Sequence, residues 1–260
     1  MSKKLAKERY QKTTDEMVLF DDTLFSVVFE DKDACQELIR LITGNSSVII
    51  IENKTQFTIK NLNKHSVILD LTAKDSNGII YAVELQKRNE MNSEHRIRYN
   101  NSLYDSLLLD KGIDYNELPD VISIFISEFD VHNIGNPIYQ INSTIDNTSF
   151  PYEEGRKIIF VNASNSDGSP ISRLMDEFFN KGRISNEFIN ISERVRYLKE
   201  TMGGAQIMCE KMETLAKEYA AIEHTETVKK MIQKGYPLTE IADLIPLSIE
   251  EIKQINNEMN

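Results

Sequence analysis

The chain has 260 residues, of which 40% are hydrophobic and 27% charged, a composition typical of a globular protein with a sizeable core. The formal net charge of −11 argues against nucleic-acid binding over the whole surface, because Lys and Arg supply most of the affinity for phosphate. With two cysteines, no apolar run long enough for a membrane span and no signal peptide, we expect a cytoplasmic protein without a disulfide framework or membrane contact.

The acidic excess is confined to the second part of the chain. Residues 1–100 contain 15 Lys and Arg and 15 Asp and Glu, whereas residues 101–260 contain 15 and 26. We therefore expect a polyanion such as DNA to bind the first half. The basic side chains expected nearest to it are Lys87, Arg88, Arg96 and Arg98.

The first predicted elements are helices followed by short strands. Helical spacing of apolar residues predicts two short helices within residues 17–43, ended by Gly44. Runs rich in β-branched residues then predict four strands, at Val48–Ile51, Phe57–Ile59, Val67–Ala73 and Ile79–Leu85. The turn sequence Asp75-Ser76-Asn77-Gly78 predicts that the last two strands form a hairpin.

The middle of the chain returns to a helix and then to strands. Helical spacing runs from Met91 to Leu109, and the strongly apolar run Val121–Ile126 predicts a central strand. Two further strands are predicted, at Ile138–Ile145 and Lys157–Val161. The predicted fold class is therefore α/β.

Beyond about residue 171 the pattern is helical. The end of the chain predicts two short helices joined at Pro246, with Thr239 and Ser248 as candidate N-caps. This tail looks like a DNA-reading helix-turn-helix, but Lys253 is the one basic residue within 236–260, which favours a packing or protein-contact role. The long helices before it are candidates for self-association into a homo-oligomer.

The hairpin carries the most distinctive polar side chains. Alternation along a strand places Asp70 and Thr72 on one face of the first strand, and Glu84 and Gln86 on one face of the second. If residues 76–78 form a three-residue loop, Asp70 lies opposite Glu84, at about 5 Å between Cβ atoms. A slip of one residue would place the two carboxylates on opposite faces, so the register decides whether a site exists.

Two adjacent carboxylates indicate a bound cation. Like charges at this distance repel unless they share a proton or hold a cation. Oxygen ligands from two carboxylates, completed by water and phosphate, suit Mg²⁺ or Mn²⁺ better than zinc. The alternative is that these acids lie on an exposed hairpin face without a functional role.

The run from Val67 to Gln86, with Asp70 and Glu84-Leu85-Gln86, resembles the PD-(D/E)XK nuclease family transposases, a group close to the recombination-promoting nucleases. The resemblance extends over about residues 20–180, through Arg96, Arg98 and Tyr99 and the segment 112–119 that leads into Val121–Ile126. It implies a restriction-endonuclease-like core, with a mixed central sheet flanked by helices and followed by an all-helical C-terminal region. It also implies hydrolysis of DNA with bound Mg²⁺.

The resemblance assigns roles to individual residues. It implies that Asp70 and Glu84 are metal ligands, and that Gln86 occupies the place of the motif Lys and positions the attacking water. Glu37 is similar to the acid that such nucleases carry on the first core helix, where it reaches the metal; a solvated helix face is its alternative role. The residues expected to contact substrate phosphates are Lys87, Arg96 and Arg98.

Two functional hypotheses remain at this stage. The first is a Mg²⁺-dependent DNA endonuclease of low sequence specificity, catalysing hydrolysis and linked to recombination or mobile elements, with RNA as an alternative substrate. The second is a catalytically inactive nuclease-fold module that acts in protein–protein interaction, favoured by the missing Lys and the net charge of −11. The expected organisation is a nuclease-like domain at 1–182, a long helical segment at 183–232 and a helix-turn-helix-like tail at 233–260.

Overall fold

The computed structural model describes residues 12–59, 67–87, 93–152, 154–182 and 184–259. Residues 12–16 are helical, and the helices that follow are α1 (Asp22–Phe29), α2 (Lys32–Thr43), α3 (Ser93–Leu108), α4 (Pro170–Phe178), α5 (Ile189–Glu200), α6 (Met202–Gln233), α7 (Leu238–Leu244) and α8 (Ile249–Glu258). The strands are β1 (Ile50–Ile59), β2 (Val67–Asp75), β3 (Ile80–Gln86), β4 (Val121–Ser127), β5 (Ile138–Ile141) and β6 (Arg156–Asn162).

The six strands form one mixed sheet in the order β1-β2-β3-β4-β6-β5. Strands β1, β2 and β3 are antiparallel neighbours, whereas β3, β4 and β6 run parallel. Strand β5 returns antiparallel to β6 at the edge. The apolar run predicted as a central strand is β4, and its position between β3 and β6 explains why it reads as continuously apolar.

Helices flank this sheet, as predicted. Helices α1 and α2 pack against β1, and α1 also packs against β2. Helix α3 packs through Tyr104 against an apolar cluster that includes Leu69 of β2 and Ala82 of β3. The predicted fold class, a restriction-endonuclease-like α/β core with a helical C-terminal region, is confirmed.

The β2–β3 hairpin has the predicted register. Leu71 pairs with Val83 and Lys74 with Ile80, and the Asp75 N–H donates to the Ile79 carbonyl at 3.0 Å. Gly78 has a φ of +85°, the left-handed conformation that a three-residue loop of this kind requires. The paired residues end at Leu71 and Val83, and Asp70 and Glu84 are the next residues along the two strands.

Strand β1 differs from the prediction. Instead of two short strands at Val48–Ile51 and Phe57–Ile59, one strand runs from Ile50 to Ile59. The polar residues 52–56 do not show the apolar pattern that predicts a strand. They are tolerated because β1 lies at an edge of the sheet, where four of its ten residues are exposed. Strand β5 is shorter than predicted and ends at Ile141.

The last two helices correct one predicted cap and confirm the other. Ser248 caps α8, with Glu251 completing a capping box. Thr239 is not a cap, because α7 begins at Leu238 after Pro237 and places Thr239 inside the helix. Val228 of α6 packs with Ile241 and Ile252, so the terminal helices have a small core of their own.

The chain divides into two compact units, Met1–Met208 and Cys209–Asn260. The first unit includes α5, which packs on α2 and on α1. The predicted domain bounds, 1–182, 183–232 and 233–260, stay predictions. No helix among the described residues is long and apolar enough to cross a membrane.

Candidate active site

Asp70 lies on β2, next to Leu71, the last residue of β2 that is paired with β3. Its Oδ2 accepts the Leu85 N–H at 2.8 Å, and its Oδ1 accepts a hydrogen bond from Gln56 Nε2 at 3.2 Å. Burial raises the pKa of Asp70 to about 6, although the Leu85 hydrogen bond acts to lower it. The nearby carboxylates of Asp22 and Glu84 raise the pKa further. The side chain is thus a half-buried acid held beside a second acid.

Glu84 is buried, at 5% exposure, and is held by the facing turn of α3. Asn100 Nδ2 donates to Glu84 Oε1, and Arg96 Nε lies 3.2 Å from Oε2 as an ion pair. Arg96 and Asn100 are four residues apart and therefore share a helix face. Burial raises the pKa of Glu84, against the effect of Arg96 and Asn100. No described residue donates a hydrogen bond to Glu84 Oε2.

Gln86 is also contacted by Arg96. Arg96 Nη1 donates to the Gln86 side-chain carbonyl oxygen at 2.8 Å. One guanidinium therefore contacts Glu84 and Gln86 together, which are two residues apart on β3 and share a face. The side chains of β3 alternate between its two faces as predicted, and this alternation places Glu84 and Gln86 on the face that Arg96 contacts.

Lys87 and Arg98, the other two residues predicted to contact phosphate, form no hydrogen bond or ion pair with Glu84 or Gln86 within the described part of the chain. The Lys87 ammonium lies 3.1 Å from Asp22 and 3.9 Å from Asp21, at the start of α1. Arg98 is exposed on α3, two residues from Arg96. Arg88, which was also expected near a polyanion, lies outside the described residues.

Glu37, which was predicted to reach the metal, has a different partner in the structure. Glu37 Oε2 accepts the Ile191 N–H at 2.9 Å, so its carboxylate caps the start of α5. A carboxylate at a helix N-terminus is stabilised by unpaired backbone N–H groups and by the helix dipole. The first-helix acid near the site is instead Asp22, whose charge acts on Asp70.

Sequence reasoning missed Asp22 and Asn100. Asp22 lies in the first turn of α1, and an acidic residue there could have been considered as a further carboxylate of the site. Asn100 is buried although it lies on a helix face with Ile97 and Tyr104. A polar residue at an apolar helical position indicates a specific partner, which here is Glu84.

The donor set fits a hard divalent cation. Asp70 and Glu84 supply carboxylate oxygens, and one Glu84 oxygen accepts no hydrogen bond from the described residues. Two neighbouring acids with raised pKa values gain more from a cation than exposed acids do. Among the described residues, no three His, Cys, Asp or Glu side chains form a metal-binding group.

A mixed sheet with helices around it, and two acids and an amide on adjacent strands, defines the class of restriction-endonuclease-like α/β proteins. The family model of the PD-(D/E)XK nuclease family transposases matches residues 20–178, and the chain belongs to this family. A nuclease- or transposase-related function follows from the membership. A search of the curated proteins finds no match to the chain.

Proposed function

We propose that the protein is a Mg²⁺- or Mn²⁺-dependent endonuclease that hydrolyses phosphodiester bonds of DNA in the cytoplasm. The observation that carries this proposal is the pair of acids Asp70 and Glu84, which lie near each other on the neighbouring strands β2 and β3. Burying two carboxylates together is unfavourable unless a positive charge joins them. A role in recombination or mobile elements is the biological context that the family supports.

Asp70 and Glu84 would hold the ion. When bound, the ion would lower the pKa of a coordinated water and offset the charge that develops on the phosphate. The chain's own part is to fix both carboxylates, through Leu85 and Gln56 on one side and through Arg96 and Asn100 on the other. Gln86 would orient the attacking water.

Arg96 would supply the positive charge that a neutral amide at position 86 lacks. The motif Lys of such nucleases carries this charge on the strand itself, whereas here a guanidinium from α3 lies against the amide oxygen at 2.8 Å. Since the Gln86 oxygen accepts from Arg96, its amide nitrogen is turned away from the guanidinium. The loss of the Lys therefore does not by itself argue for an inactive module.

Substrate binding would depend on backbone phosphates. The residues proposed to contact them are Lys87, Arg96 and Arg98. Contacts to phosphate position a duplex without reading its bases, so low sequence specificity is expected. Homo-oligomerisation through the C-terminal helices stays a separate proposal.

Titration with Mn²⁺ and cleavage of plasmid DNA test the proposed function together. We expect Asp70→Asn and Glu84→Gln each to abolish Mn²⁺ binding and to slow cleavage at least about 100-fold, since each removes a ligand charge. Glu37→Gln is the matched control, because it is the same change in an acid that caps α5. The control should bind Mn²⁺ and cleave as the wild type does.

Two outcomes contradict the proposal. If the Glu84→Gln protein cuts DNA at the wild-type rate, Glu84 has no role in catalysis. Wild-type protein that binds no Mn²⁺ would favour the catalytically inactive protein-interaction module instead.

A further inference from the structure

Gln56 has an unusual backbone conformation for a residue inside a strand. Its φ is +51°, in the left-handed region, which side chains other than Gly, Asn and Asp rarely adopt. The other non-glycine residues with positive φ among those described are Asn133 and Asn147, both in loops. Such strain persists where the surroundings enforce it, and it is concentrated at functional sites.

The strain coincides with a break in side-chain alternation on β2. Leu69 packs in the apolar cluster of Tyr104, and Thr72 is hydrogen-bonded to the Tyr104 hydroxyl. Residues three apart on a regular strand point to opposite faces, yet these two face the same helix. The regular alternation of side chains between the two faces of β2 is therefore interrupted between Leu69 and Thr72, the stretch that contains Asp70.

Strand β1 has the same break at the same level. Phe57 contacts the Tyr104 ring, and Lys54 is paired with Thr72. Because directly opposite residues share a face, Lys54 and Phe57 also lie on one face although they are three apart. The pairing keeps one register across the break, from Thr55 with Leu71 to Phe57 with Leu69, so Gln56 falls opposite Asp70.

The contact at this break is a hydrogen bond from an amide to a carboxylate. Gln56 Nε2 donates to Asp70 Oδ1, while the Leu85 N–H holds Oδ2, so both oxygens are oriented. Both donors are neutral, and they fix the carboxylate without cancelling its charge. A lysine or arginine in place of Gln56 would compete with a cation.

We propose that Gln56 is a positioning residue for the metal centre, and that the strained backbone of β1 is retained because it aims the Gln56 amide at Asp70. This inference rests on the proposed function. It assigns a role to a residue on an edge strand that carries no part of the nuclease motif.

Two variants separate positioning from structural support. Gln56→Gly removes the amide and also the strain, whereas Gln56→Ala removes the amide and keeps the strain. We expect both to raise the Mn²⁺ dissociation constant about 10-fold, as the loss of a residue that orients a ligand does. We expect the melting temperature of Gln56→Gly to equal or exceed that of the wild type, and that of Gln56→Ala to fall below it.

Thr58→Gly is the matched control on the same strand. Thr58 is exposed and paired with Ile68, at a regular position. A glycine there should lower the melting temperature and leave Mn²⁺ binding unchanged, the opposite of the result for Gln56→Gly. A purely structural role would move stability and Mn²⁺ binding in the same direction.

The outcomes distinguish this inference from the proposed function. If the wild type binds Mn²⁺, Asp70→Asn does not, and Gln56→Gly binds as the wild type does, the inference is overturned and the proposed function stands. A Gln56→Gly protein less stable than Gln56→Ala also overturns it, because the backbone would then not be strained. Wild-type protein that binds no Mn²⁺ overturns both.

Discussion

At the scale of residues, the site depends on contacts between side chains far apart in the chain. Glu84 and Gln86 were predicted from their strand, but the arginine that contacts both comes from α3. The sequence identified Arg96 as a phosphate contact and gave no indication of its position beside Gln86. Such a contact depends on how a helix docks on a sheet, which local sequence does not encode.

Asp130 shows how a network of donors stabilises one carboxylate near β4. It accepts hydrogen bonds from the backbone N–H groups of His132 and Gly135, from the Tyr139 hydroxyl and from Asn165 Nδ2. Burial acts to raise the pKa of Asp130, but these hydrogen bonds outweigh it and lower the pKa to about 2. The loop after β4 is therefore stabilised by the ionised form of Asp130.

We expect Asp130→Asn to lower the free energy of unfolding at pH 7 by about 1–2 kcal/mol, since the donors then face a neutral amide. Because the folded pKa lies below the unfolded value of about 3.9, the stabilisation is complete above pH 4 and disappears as the pH falls toward 2. Denaturant unfolding of both proteins at pH 7, 4 and 3 measures this. A difference that is independent of pH would contradict the assignment.

At the scale of elements, the hairpin is the part most fully determined by its own residues. Asp75 Oδ1 accepts the N–H groups of Asn77 and Ile79, and its Oδ2 accepts the Tyr81 hydroxyl. The turn is thus held by a side chain within it, and Gly78 supplies the left-handed residue. These local interactions explain why the register was predictable from the sequence.

Gly78→Ala should therefore destabilise the protein by about 1–2 kcal/mol, the cost of a left-handed conformation for an L-residue. A Cβ atom at Gly78 meets nothing within 4 Å, so the loss would report backbone conformation rather than a clash. Gly78→Asn should lose less, because Asn tolerates this conformation. Thermal unfolding of the three proteins checks the order, and equal losses for Ala and Asn would contradict the explanation.

The elements that were mispredicted depend on their neighbours. Strand β1 contains polar residues because it is an edge strand, and its course is held by contacts with α1, where Asn53 donates to the carbonyls of Phe29 and Glu30. Glu37 was expected at the metal because it is similar to the acid on the first core helix of such nucleases, whereas its carboxylate accepts a hydrogen bond from Ile191, more than 150 residues away in the chain.

At the scale of the whole molecule, the distribution of charge determines where DNA would bind. With a net charge of −11, binding would be confined to the few cations around the site. If Lys87, Arg96 and Arg98 neutralise one phosphate each, the logarithm of the association constant should fall with the logarithm of salt concentration with a slope of about −3.

Fluorescence anisotropy with duplex DNA in Ca²⁺, across a range of salt concentrations, measures this slope. We expect Arg98→Ala to reduce its magnitude by about 1. Lys217→Ala, an exposed position on α6 in the acidic part of the chain, should leave it unchanged. If Lys217→Ala changes the slope and Arg98→Ala does not, DNA binds at a surface other than the proposed one.

The sequence by itself determined the order of elements apart from β1, the β2–β3 hairpin with its register, and the presence of Asp70 and Glu84 on neighbouring strands. These depend on turn chemistry and on periodicity, which act over a few residues. Only the tertiary structure decided that Asp22 rather than Glu37 lies near Asp70, that Arg96 and Asn100 hold Glu84, and that Gln56 faces Asp70. Those pairs form because a helix or an edge strand docks at one place on the sheet, and docking is set by packing over the whole core.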